Sequence, residues 1–165
     1  MRLGFMHLYT VFLLFFAPMN AFGEVKADFV LVDKSEKRLY LMWQGHQYAY
    51  FPVTFGKNPK GHKQKQGDER TPEGRYILDY KNFNSAYYKS IHISYPNAQD
   101  RKNARRMGID PGGDIMIHGQ VNGWGCASSL MQTFNWTNGC IALKDHHMDK
   151  VWEAVVPGTP IEIRP

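Results

Sequence analysis

The stretch Thr137-Asn138-Gly139-Cys140-Ile141-Ala142-Leu143 constrains the fold of this chain more than any other. A small polar pair and a glycine make a tight turn, a cysteine follows at once, and the chain then runs apolar, as a strand entering a core does. A thiol is thereby set at the rim of a core. The flexible backbone just before it can turn its N–H groups toward a ligand oxygen. Upstream, Ile115-Met116-Ile117 is an apolar run ending in His118-Gly119, which offers a strand-end imidazole as a base for that thiol. The plain alternative is a buried structural cysteine beside an unrelated histidine, because free cysteines are commonly buried.

Around this turn the chain reads as mainly β. Strands are expected over 29–32 and 38–43, joined by the polar turn 33–37 as a hairpin. The pattern continues over 47–55, with Pro52 marking an edge or a bulge. A long polar loop, 56–70, is expected to be a functional lid or disordered. The dense turn 67–74, in which Pro72 fixes φ and Gly74 permits a positive one, feeds a strand over 75–80. Residues 90–95 alternate, with Ile91, Ile93 and Tyr95 on one face and Ser90, His92 and Ser94 on the other; His92 reads as a strand-surface residue. Asn97 reads as the N-cap of a helix over 98–107 that ends at Gly108, with its arginines at the negative end of the dipole. Asp145 reads as the cap of a second helix, since Met148, Val151, Trp152 and Val155 form a helical stripe. The last strand is expected over 159–163. There is no internal repeat.

Residues 1–23 are expected to be a cleaved signal peptide. Arg2 is their one full charge, 8–19 is mostly apolar, and Ala21-Phe22-Gly23 sets small residues two apart, as signal peptidase requires. The apolar run is short for a bilayer span, and an uncleaved anchor is the alternative. Residues 24–165 then make one domain. The formal charge of +5 becomes +4 without Arg2, and it gathers at Lys57, Lys60, Lys63 and Lys65 and again at Arg101, Lys102, Arg105 and Arg106. Such a modest excess on an exported protein disfavours nucleic acid and suits an anionic partner such as a wall polymer or lipid headgroups, although a solvated loop and helix face would carry the same charges. The two cysteines, Cys126 and Cys140, could form a disulfide, yet a domain of this size needs no staple. A metal site from His118, Cys126, Cys140 and His146 matches none of the common zinc spacings, so no metal is expected.

Four segments in fixed order then carry a resemblance: Gly67-Asp68-Glu69-Arg70-Thr71-Pro72-Glu73-Gly74-Arg75-Tyr76, Ser94-Tyr95-Pro96-Asn97, Pro111-Gly112-Gly113-Asp114-Ile115-Met116-Ile117-His118-Gly119, and Thr137 to Leu143. Together they resemble the L,D-transpeptidase catalytic domain (YkuD-type), over roughly 29–163. The resemblance implies a mainly β catalytic sandwich with two short helices, located in the periplasm or cell-wall compartment of a bacterium, with no stable membrane span after cleavage. It implies Cys140 as nucleophile, His118 as general base and acid, the Gly119 carbonyl as the group orienting the imidazole, and no cofactor. A free thiol, with a pKa near ~8.5, is mostly protonated at neutral pH and needs such a base. The N–H groups of Gly139 and Cys140 would receive the oxyanion, a contribution of about 3 kcal/mol in comparable sites. Thr137, Asn138, Tyr95 and Arg70 are expected as substrate or scaffold residues.

Two departures stand out. Asn138 occupies a place where the family usually has histidine, and Ala142 one where arginine or asparagine is common. The implied substrate is a peptidoglycan stem tetrapeptide. Cys140 would attack the carbonyl on the L-centre of the diamino acid, release the terminal D-alanine and form a thioester for an amine acceptor. With water as acceptor the same site would be an L,D-carboxypeptidase or amide hydrolase. The 57–65 and 120–136 loops are candidate walls for the acceptor subsite. A non-catalytic wall-binding module is a further alternative, against which an intact Cys140 and His118 argue.

Overall fold

Short alternating segments dominate the computed structural model, which describes residues 25–123 and 128–165; the expected signal peptide and Cys126 lie outside the described residues. Strands β1 (Phe29–Asp33) and β2 (Arg38–Trp43) form the expected hairpin, with Leu31 opposite Tyr40. Val30, Val32, Leu39 and Leu41 point inward and are buried. Strand β3 (His46–Pro52) pairs with the other side of β2 as the outermost strand, where the N–H that Pro52 lacks is not needed by a further neighbour.

Strand β4 (Gly74–Asn82) buries Tyr76 and Leu78 and exposes Arg75, Ile77 and Asp79, which is the period of two that a half-covered strand requires. With β5 (Ser90–Ile93), β6 (Met116–His118), β7 (Ile141–Ala142) and β8 (Thr159–Arg164) it completes one eight-stranded sheet in the order β3-β2-β1-β8-β4-β5-β6-β7. The β1–β8 and β6–β7 pairs are parallel. On β5, Ser90 is buried against β6, whereas His92 lies at the surface on Asp79 and stacks on Tyr80.

Helix α1 (Ala98–Met107) starts and stops where its capping residues dictate. The Asn97 side chain accepts from the Gln99 and Asp100 N–H groups, the Asp100 carboxylate accepts from the Asn97 N–H, and Gly108 adopts the left-handed cap. A four-residue helix, α2 (Ser128–Met131), interrupts the 120–136 loop and has no counterpart in the sequence pattern. Helix α3 (Asp145–Ala154) lays Met148, Val151 and Trp152 into the core. Its N-cap is Lys144, and Asp145 is the first helical residue. The Asp145 carboxylate is spent instead on the Gln120 N–H at 2.8 Å, which ties the helix to the chain just past β6. No helix among the described residues is long and apolar enough to cross a membrane.

The sheet curls until its two ends meet. Thr54, two residues beyond β3, bridges Ala142 of β7 with reciprocal hydrogen bonds of 3.0 and 2.9 Å. The seam continues as Thr137 donates to the Phe55 carbonyl and accepts from the Lys57 N–H. Two glycines let the backbones approach this closely: a Cβ on Gly56 would fall 2.0 Å from the Glu69 carbonyl oxygen, and one on Gly139, at φ 133°, would fall 2.7 Å from that of Arg70.

The 56–70 loop is ordered against this seam, and Asp68 is its hub. Its carboxylate accepts from the N–H groups of Gln64, Lys65 and Arg70 and from the buried Lys63 ammonium. Burial pushes the carboxyl pKa up, but these donors outweigh it and hold it at about 2. Gly56→Ala is expected to destabilise the fold by about 2 kcal/mol or more in denaturant titration, because backbone and not a flexible side chain occupies the space.

Candidate active site

Strand β6 ends by delivering His118 into the interior, only 2 % exposed. Its Nδ1 lies 2.6 Å from the Gly119 carbonyl oxygen. A carbonyl can only accept, so Nδ1 carries the proton and Nε2 is left as the free base. The Tyr87 ring lies 4.6 Å from the imidazole, centroid to centroid, and Trp136 meets it edge-on at 5.7 Å. Burial lowers the His118 pKa to about 4, against the upward pull of the Gly119 carbonyl, so the ring is neutral at physiological pH. Gln120 fixes the strand end, its N–H on Asp145 and its side-chain amide on the Leu143 carbonyl.

Strand β7 runs parallel to β6, with Ile117 opposite Ile141 and His118 opposite Ala142. This register puts Cys140 at the mouth of β7, beside the histidine strand. The turn before it is locked by Thr137, whose hydroxyl donates to the Cys140 carbonyl at 2.7 Å and accepts from the Gly139 N–H at 3.1 Å. The Cys140 thiol is free and partly exposed. Its sulfur accepts from the Met116 N–H at 3.4 Å and its S–H points at the Asp114 carbonyl at 3.7 Å. Burial pushes the thiol pKa up, helped by the Asp114 charge and opposed by the Met116 N–H and the Lys63 charge.

Cys140 and Asn138 line two cavities. One, of about 350 Å³, is lined by Lys57, Tyr87, His118, Trp136, Thr137 and Asn138 together with the cysteine. The other, of about 280 Å³, brings Lys63, Gln66, Glu69, Asp114 and Asn138 to the same residue. A neutral imidazole and a protonated thiol lining one cavity are the pair of groups that an activated nucleophile requires.

A sequence profile of the L,D-transpeptidase catalytic domain (YkuD) matches residues 27–163. The chain belongs to that family. YafK of Escherichia coli K12, whose name marks its L,D-transpeptidase assignment as provisional, is 30% identical over 133 residues, covering 77% of this chain and 46% of YafK. Among solved structures, the helical cell shape determining protein Pgp2 of Campylobacter jejuni superposes with a TM-score of 0.60 at 24% identity, over 82% of this chain and 46% of Pgp2. An L,D-transpeptidase of Xylanimonas cellulosilytica superposes with a TM-score of 0.55 at 14% identity, over 84% of this chain and 61% of that one. These likenesses establish the L,D-transpeptidase fold. The chain spans about half the length of the curated relatives it matches.

Within this L,D-transpeptidase fold the expected site residues divide into two groups. Cys140, His118, Thr137 and Asn138 converge on the cavity beside the thiol, and Gly119 supplies its carbonyl to the ring. Gly139 lies in the same turn, but its N–H is engaged by Thr137. Tyr95 is scaffold: it is buried, and its hydroxyl donates to the Pro111 carbonyl at 3.0 Å. Arg70 offers its backbone to the seam, while its guanidinium lies against Gly61 and lines neither cavity at Cys140.

Lys57 and Trp136 come from the two loops expected to wall the acceptor subsite, whereas Tyr87 and the Met116 N–H were not foreseen. Nothing in the sequence links Tyr87 to His118. Among the described residues, no three His, Cys, Asp or Glu side chains are grouped to hold a metal ion.

Alkylation of Cys140 by iodoacetamide, followed by peptide mass mapping, is expected to rise with pH along a curve centred above that of an ordinary thiol, because the proton stays on the sulfur to higher pH. The curve should show no inflection near ~6.5, the usual imidazole pKa, since His118 remains neutral down to about 4. A profile centred below neutrality would indicate a preformed thiolate–imidazolium pair and contradict this resting state.

Proposed function

We propose that the chain is an exported cysteine acyltransferase that acts on peptidoglycan stem peptides as an L,D-transpeptidase. The observation that carries this reading is the convergence of a free thiol and a neutral imidazole, its Nδ1 proton fixed on the Gly119 carbonyl, on one cavity. In the first half-reaction His118 Nε2 takes the Cys140 proton and the sulfur attacks the carbonyl on the L-centre of the stem's diamino acid. The Met116 N–H, already on the sulfur, stabilises the developing thiolate.

The Cys140 N–H receives the oxyanion, and the Gly139 N–H joins it once Thr137 releases it, at a gain of about 3 kcal/mol for such a donor. Protonated His118 then returns its proton to the departing D-alanine amine, leaving a thioester on Cys140. An amine attacks in the second half-reaction, with His118 again accepting the proton. The two cavities at Cys140 support transfer over simple hydrolysis, because they leave room for an acyl donor and an acceptor at one sulfur.

Incubation of residues 24–165 with muropeptide tetrapeptides, with products identified by mass, tests the proposal. Cross-linked dimers or exchange of the terminal D-amino acid are expected; tripeptide alone would make the protein an L,D-carboxypeptidase, and unchanged tetrapeptide would refute acyl transfer on this substrate. Cys140→Ser should abolish turnover, and His118→Gln should lower kcat by about 10²–10⁴ while leaving the protein folded.

A further inference from the structure

We propose that Lys57 is a specificity-determining residue that reads a carboxylate on the peptide bound beside Cys140, and that Glu69 and Asn138 hold it there. This rests on Cys140 being the nucleophile but adds a requirement that the family motif does not contain. Lys57 sits at the seam, its backbone N–H on the Thr137 carbonyl at 3.0 Å, so its Cα moves with the catalytic turn. Its side chain is half exposed, and the ammonium is braced on two sides, by Glu69 Oε1 at 3.0 Å and Asn138 Oδ1 at 3.3 Å. An ammonium carries three N–H donors. Two are committed to these braces, and the third is available to the cavity.

The surroundings select the charge of the ligand. Among the described residues lining the His118 cavity, Lys57 is the one full cation, and the carboxylate paired with it, Glu69, lines the other cavity instead. His118 contributes no charge there, being neutral above about pH 4. The other cavity is lined by Glu69 and Asp114, and its own lysine, Lys63, spends its ammonium on Asp68 at 2.8 Å and the Lys65 carbonyl at 3.1 Å. Of the two cavities that Cys140 lines, the one at His118 thus presents an ammonium and aromatic rings, and the other presents carboxylates. A peptide whose scissile carbonyl lies on the sulfur is oriented by this difference, with its carboxylate toward Lys57 and an amine toward Asp114. A charge-assisted hydrogen bond of this kind favours the acid over its neutral isostere by about tenfold.

The test uses two N-acetylated tripeptides ending in D-alanine, one with a free C-terminal carboxylate and one with a C-terminal amide. Each is used to protect Cys140 from iodoacetamide, and the unliganded alkylation rate of each variant serves as its own reference. The wild type is expected to be protected at about tenfold lower concentration by the acid than by the amide. Lys57→Met should bring the two peptides together, Lys57→Arg should keep the preference, and raising the salt concentration should weaken the acid alone. Equal protection by both peptides, protection by neither, or a preference that persists in Lys57→Met overturns the proposal. Acid-selective protection without turnover of stem peptides would leave the role of Lys57 standing and sink acyl transfer; turnover without acid selectivity would do the reverse.

Discussion

The reciprocal hydrogen bonds between Thr54 and Ala142 are the contact on which the rest of the molecule depends. A two-residue strand such as β7 cannot hold its place by its own pairing with β6. The bonds to Thr54 give it a second neighbour, close the curled sheet, and fix the turn from which Cys140 projects. Every other feature of the site is referred to this seam. Thr137 is pinned between Phe55 and Lys57, Gly139 lies against the backbone of Arg70, and the 56–70 loop packs on the same line through Gly56. The Cys140 thiol is therefore held where the curled sheet closes on itself. A substitution at the seam is felt in stability and in the position of the thiol together.

The chemistry follows from burial as much as from proximity. Tyr87 and Trp136 strip water from His118 and keep it neutral, and the Gly119 carbonyl chooses which nitrogen holds the proton. The same burial keeps the proton on Cys140. Both partners rest uncharged, which spares the apolar interior an ion pair it would have to desolvate. In the proposed reaction, charge develops only when a substrate carbonyl is present to receive the sulfur. A protonated resting thiol is also less open to oxidation than an exposed thiolate would be.

Much of this was legible in the sequence because the signals were local. The cap at Asn97, the stop at Gly108 and the stripe of Met148, Val151 and Trp152 each act within a few residues, and the helices fall where those patterns put them. The β1–β2 hairpin and the edge position implied by Pro52 were local in the same sense. The ordered motifs singled out His118 and Cys140, and the structure places both on one cavity. The non-local geometry was not. Sequence pattern does not report that β7 lies parallel to β6, that Thr54 returns to meet Ala142, or that Tyr87 covers His118, since each joins segments far apart in the chain. Asp145 was misassigned for a related reason: an acidic residue before a helical stripe is a good cap by propensity, but here its carboxylate is claimed by the distant Gln120 N–H. Asn138, conspicuous in the sequence because the family usually has histidine there, gains a physical role from its contact with Lys57.

The proposed reaction requires that the thiol held at the seam become covalently acylated. Acid quenching of the protein during turnover of a stem tetrapeptide, followed by intact-mass measurement and peptide mapping, tests it most directly. A population heavier by the acyl fragment left after loss of D-alanine is expected, mapped to Cys140 and released by hydroxylamine, as a thioester is. Turnover with no adduct, or an adduct mapped to Cys126, would contradict it.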